Sequence, residues 1–156
     1  GLLGGLEVLR AGLMGKLFVP SPPPSSERLS MPIDSSAWRP HRNGVVLTGT
    51  LRVHDGRAPA AAQLLRRMVE DSTAQQGRLV STIAVNQDEA DECVFHIFER
   101  YPTLRSMSRR QDSELYTKFI QKLEPLLAEP MGLYMMNERD GRLTEPTYPY
   151  GPGGEG

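Results

Sequence analysis

The chain has 156 residues, enough for one ordinary domain and too few for two comfortable ones. Its 18 Lys and Arg nearly balance its 19 Asp and Glu, and no basic stripe interleaved with aromatics runs through it, which argues against nucleic acid as a partner. One cysteine, Cys93, excludes an intramolecular disulfide, and no apolar run approaches the ~18–20 residues that cross a bilayer.

Residues 1–20, GLLGGLEVLRAGLMGKLFVP, place Leu2, Leu6, Leu9, Leu13 and Leu17 on one side of a possible helix, with Glu7, Arg10 and Lys16 elsewhere. Four glycines weaken such a helix standing alone. The leader therefore needs a surface to lie on: its own domain, a partner protein, or a membrane interface touched peripherally. The opening Gly1 in place of methionine points to a processed or fragmentary terminus, and with the leader to an organelle, chloroplast or mitochondrion, as the setting. Residues 21–43 are rich in Pro and Ser and read as an extended linker of polyproline II character. Trp38, the single tryptophan, lies there and is expected to pin the linker to the domain.

A folded domain is expected over residues 44–139. GVVLTGTLRV alternates as a strand, with Val45, Leu47, Leu51 and Val53 on one face and Thr48, Thr50 and Arg52 on the other. HDGRAP is turn chemistry, and Pro59 suits the first turn of the helix that follows, with Ala61, Leu64, Leu65, Met68, Val69 and Ser72 in helical spacing and Gly77 as its stop. RLVSTIAV is the second strand, NQDEAD a polar turn and ECVFHIFERY the third strand, in which Cys93 reads as a small buried hydrophobe. Pro102 ends that strand. A short helix over TLRSMSRR has Thr103 as its cap, and a longer one over DSELYTKFIQKLEPLL starts from Asp112 or Ser113. MGLYMMNER is a fourth strand, and residues 140–156 are a Pro/Gly/Tyr tail in which Tyr148 and Tyr150 stand out as interaction residues.

The order β-α-β-β-α-α-β predicts an α+β, ferredoxin-like sandwich with extended N- and C-terminal segments. One sheet face carries the helices. The other keeps Val46, Ala84, Val94 and Phe98, too apolar to stay wet, and so calls for a protein partner: another copy of the chain or other subunits of a complex.

Several stretches together resemble the antibiotic biosynthesis monooxygenase (ABM) family, also called the dimeric α/β-barrel class. They are VVLTGTLRV, AAQLLRRMVEDS, GRLVSTIAV, FERYPTLRSM and YTKFIQKLEPLL, spread over residues 45–139. FERYPTLRSM is the most telling, being similar to the family's strand-ending Glu-x-Trp and the short helix after it. The resemblance implies oxidation of phenolic or quinol-type substrates by oxygen with no metal or flavin, hence no cofactor, although some members cleave haem and others have no known chemistry. On that reading Glu99, Tyr101 and Arg110 are the catalytic candidates, with Thr48, Thr50 and His96 as pocket residues.

The residues also carry a plainer reading. Glu99 is a carboxylate among apolar neighbours, the setting of a general base, but Arg100, Arg105 or a helix N-terminus could tie it down. Tyr101 stands where the family has tryptophan. Arg110 stands where many relatives have histidine, and arginine binds anions but is no general base near neutral pH. His96 faces away from Glu99, on an apolar strand face. His41, His54 and His96 show no metal spacing with carboxylates or Cys93, so no metal site is expected. The asparagine, tryptophan and histidine that haem-cleaving relatives use are not matched, which disfavours haem cleavage. A non-catalytic ABM-like accessory subunit that docks through its sheet and terminal segments is therefore the first expectation, and a cofactor-independent monooxygenase of a small aromatic or quinol-like molecule the second.

Overall fold

A computed structural model of the protein describes residues 28–31 and 38–145. Strand β1 spans Gly44–Arg52, where Val and Thr at alternating positions favour the extended backbone. Helix α1 spans Ala58–Gln76, opens with Pro59 in its first turn, and buries Ala61, Leu65, Met68, Val69, Ser72 and Gln76 along one stripe. Strands β2 (Thr82–Gln87) and β3 (Val94–Tyr101) follow.

Helix α2, Leu104–Gln111, begins at a reciprocal cap: the Ser106 amide donates to Thr103 Oγ1 at 3.0 Å, and the Thr103 amide donates to Ser106 Oγ at 3.1 Å. Helix α3, Glu114–Leu123, starts from Ser113, the second of the two expected caps, and runs into a 3-10 turn at Glu124–Leu126. Strand β4 is Gly132–Arg139.

These elements lie in an antiparallel sheet of order β2-β3-β1-β4, with the helices on one face, the ferredoxin-like α+β arrangement. Register decides which side chains meet. Leu47 lies opposite both Glu99 and Met135, so Val45, Leu47, Leu51, Phe95, Ile97, Glu99 and Tyr101 all face the helices. The main core joins that face to α1 and α3 through Leu65, Met68, Val85, Phe95, Phe119 and Leu123. A smaller core under α2 holds Val45, Leu47, Val80, Tyr101, Met107 and Met135. Opposite faces of the same strands carry Val46, Thr48, Thr50, His96, Phe98, Arg100, Tyr134 and Glu138.

The expected boundaries change at both ends. Residues 140–156 do not begin as tail: Asp140 and Gly141 both take positive φ, 53° and 86°, and fold back a further strand β5, Arg142–Thr144, on the edge of β4. That is the geometry an Asp-Gly hairpin turn requires. Nor are residues 21–43 linker throughout. Ser30 bridges to Asn86 on the β2 edge, the Gln87 amide donates to the Leu29 carbonyl at 2.9 Å, and Leu29 is fully buried in the main core. The domain thus starts well before Gly44.

Candidate functional site

Glu99 and Tyr101 point inward because they sit two apart on β3, on the face that packs against the helices. The capped start of α2 sets the turn that returns Arg110 over them. Tyr101 Oη donates to Glu99 Oε1 at 2.5 Å, and Arg110 Nη1 donates to Tyr101 Oη at 2.8 Å, with Glu99 Oε1 at 3.4 Å. Arg110 Nη2 reaches Ser72 Oγ and Met68 Sδ on α1, both at 3.1 Å. The guanidinium carbon lies 4.9 Å from the centre of the Tyr116 ring on α3. Relative exposure is 0% for Tyr101 and Arg110 and 4% for Glu99.

Burial, reinforced by the Glu99 charge, pushes the Tyr101 hydroxyl well above its ordinary range against the opposing pull of Arg110. Tyr101 therefore stays a protonated donor, not a phenolate. Burial likewise raises Tyr116. The three catalytic candidates of the sequence are brought together and bond to one another through Glu99 Oε1, Tyr101 Oη and Arg110 Nη1. The partner of Glu99 is Arg110, not Arg100 or Arg105 as the nearer charges suggested.

Access from outside is narrow. A cleft of about 130 Å³ between α1 and α3 is lined by Leu64, Met68, Leu115, Tyr116 and Phe119, together with the charged Arg67, Asp71, Lys118 and Lys122. Its lining includes Met68 and Tyr116, which also contact Arg110. Small-molecule sites commonly measure roughly 300–1,000 Å³.

The expected pocket residues are divided from this cluster by the sheet itself. Thr48 and Thr50 lie opposite Phe98 and His96 in the β1–β3 register, on the face away from the helices. His96 is exposed, with Nε2 2.8 Å from Asp88 Oδ1. Thr48, Thr50 and His96 therefore do not line one site with Glu99, because alternation along a strand separates them.

That open face holds a second buried ion pair, which reasoning from sequence missed. Arg100 Nε and Nη2 donate to Glu138 Oε1 and Oε2, each at 2.8 Å, and Nη2 also donates to the Arg39 carbonyl. The His41 amide donates to Glu138 Oε2 at 2.9 Å. Trp38 covers the pair, its ring centre 3.7 Å from the guanidinium carbon and its plane at 85° to the Phe98 ring, 6.3 Å away. Trp38, expected from the sequence to pin the segment, thus stacks on the Arg100 cation. Burial works to raise the Glu138 carboxyl, but the bonds from Arg100 and the His41 amide outweigh it and hold the group below the usual carboxylate range. The strand alternation that set Arg100 beside Phe98 was visible in the sequence; its partner 38 residues away was not. Leu2, Leu6, Leu9, Leu13, Leu17, Tyr148 and Tyr150 lie outside the described residues.

No protein-family sequence model matches the chain, and no curated protein matches it. Solved structures do. A Caulobacter crescentus protein named as a candidate antibiotic biosynthesis monooxygenase superposes with a TM-score of 0.57 at 11% identity, covering 62% of this chain and 90% of its own. A candidate of the same name from Nitrosomonas europaea gives 0.54 at 19% identity, covering 58% and 94%. A Pseudomonas aeruginosa protein gives 0.54 at 24% identity over 67% of this chain and 98% of its own. At such identities the likeness is one of fold, and this chain has the antibiotic biosynthesis monooxygenase fold.

Proposed function

We propose that this chain is a non-catalytic module of that fold, an accessory subunit that works by docking on protein through its open sheet face. The observation that carries the reading is the buried Glu99–Tyr101–Arg110 cluster, in which the three catalytic candidates of the sequence bond to one another between sheet and helices. A cofactor-free oxidation needs a chamber that holds a substrate anion and desolvates it. The cleft of about 130 Å³ is small for that task. The open face supports the docking half, since Tyr134 is 51% exposed on it, beside Thr48. A second copy of the chain is the occupant proposed for the half of that face around Thr48, Thr50, His96 and Tyr134.

The alternative, a cofactor-independent monooxygenase of a small aromatic or quinol-like molecule, is favoured by the names of the solved neighbours and by Arg110 Nε, which is buried with no hydrogen-bond partner. Oxygen consumption with a panel of quinols separates the two. The docking reading expects uptake no faster than the buffer for wild type and for Glu99→Gln. Turnover that falls with Glu99→Gln would overturn it.

A further inference from the structure

We propose that residues 146–150 of this chain, Pro-Thr-Tyr-Pro-Tyr, dock back onto the open sheet face, in the groove between Trp38 and Leu143. The groove encloses about 430 Å³ and is walled by Trp38, Pro40, Val46, Phe98 and Leu143 over the Arg100–Glu138 pair. Its charged floor is already paired: Arg100 is held by Glu138 and the Arg39 carbonyl, and Glu138 by Arg100 and the His41 amide. Such a groove offers aromatic and aliphatic surface rather than a free charge, and selects an apolar, aromatic occupant.

The chain delivers one to the same edge. Its described residues stop at Glu145, two past Leu143, and the Asn137 side-chain amide donates to the Glu145 carbonyl at 3.2 Å. An extended chain covers about 3.3–3.6 Å per residue, so Tyr148 and Tyr150 reach roughly 10 and 17 Å beyond Glu145. Strands lie about 4.8 Å apart, which puts β1 with Val46 roughly 10 Å, and β3 with Phe98 roughly 14 Å, from β5. Both tyrosines can therefore reach the groove from their own chain.

Pro146 and Pro149 lack the N–H that would continue β5 as a ladder on β4, and they favour polyproline II. A proline-rich segment on an aromatic-lined groove is a recurrent mode of recognition, and tyrosine supplies large contact area for little lost side-chain entropy. A tether this short gives a local concentration near the millimolar range, so modest contacts suffice. The groove lies at the Val46 end of β1, leaving the Thr50–His96–Tyr134 end of the face free, and the inference stands apart from the docking reading above.

Trp38 is the single tryptophan and forms a groove wall, so its fluorescence reports occupancy directly. The full chain is compared with a chain ending at Glu145 and with full-length Tyr148→Ser/Tyr150→Ser, which covers the case in which shortening disturbs β5. Both are expected to shift Trp38 emission to the red and raise its quenching by acrylamide at least 1.5-fold. A synthetic peptide of residues 146–156, at millimolar concentration, should reverse the change in the shortened chain. Native mass and quenching in the full chain are followed over a 100-fold dilution and should not change together. Unaltered quenching in both variants would sink the proposal. So would protection lost on dilution together with a fall in mass, since the groove would then hold the tail of a second copy.

Discussion

Tyr101 owes its place to both neighbours: its hydroxyl donates a hydrogen bond to Glu99 and accepts one from Arg110. Removing the hydroxyl leaves a carboxylate and a guanidinium buried 3.4 Å apart, each short of a partner. Tyr101→Phe should therefore cost about 1–3 kcal/mol in urea unfolding, and Arg110→Met, which strands Glu99, about 3–5 kcal/mol. On the open face the Arg100–Glu138 pair adds a pH dependence. Glu138 is held below its ordinary value when folded, so between the two values the unfolded chain binds more protons. Its contribution is complete above the ordinary carboxylate value and is lost as pH falls through the depressed one. Stability measured from about pH 6 down to about pH 3 should thus fall less steeply in Glu138→Gln than in wild type, although the variant is less stable at neutral pH because Arg100 loses its counter-charge. Equal slopes would assign acid sensitivity to other carboxylates, such as Asp88 and Asp91, which His96 and the Cys93 amide hold below the ordinary range. The inward placement of Glu99 was legible because two-residue alternation needs only the strand. The Arg110 contact was not, because it depends on how α2 lies across the sheet, and sequence proximity pointed to the wrong arginines.

Periodicity is a property of whole elements, and it served where elements are long. The strand alternation of β1 and β3 and the stripe along α1 each repeat several times, so both were readable. A three-residue strand repeats nothing. β5 was hidden in a tail judged by composition, although its Asp140–Gly141 turn is a recognised hairpin signal. Residues 28–31 are the sharper case: in a Pro/Ser-rich stretch one leucine carries no pattern, yet Leu29 is fully buried in the main core. Its backbone is fixed by Gln87 at both ends, and Arg28 Nη2 donates to the Glu89 carbonyl at 2.7 Å. Leu29→Ala should accordingly cost about 2–5 kcal/mol, the penalty of a core truncation rather than of a linker change. Calorimetric unfolding checks it, and a loss under about 0.5 kcal/mol would return the segment to linker status.

At the scale of the molecule, the sheet has one face closed by helices and one that its own segments cover only in part. Trp38, Arg39 and Pro40 take the Val46 end, while Tyr134 remains half exposed at the other. The exposed apolar area is where a partner gains most by removing water. If a second copy covers that end, native mass by light scattering should be twice the 17.3 kDa of one chain. Isologous pairing places a substitution twice in one interface, so Tyr134→Lys would bring two like charges together and should lower the dimer's association constant at least 100-fold. Because Tyr134 is already half in water, the same change should move monomer stability by no more than about 0.5 kcal/mol. A dimer indifferent to Tyr134→Lys would place the contact elsewhere. A wild-type monomer at all concentrations would exclude self-pairing and leave the face to another protein, which a pull-down with wild type and Tyr134→Lys as matched baits would then have to tell apart.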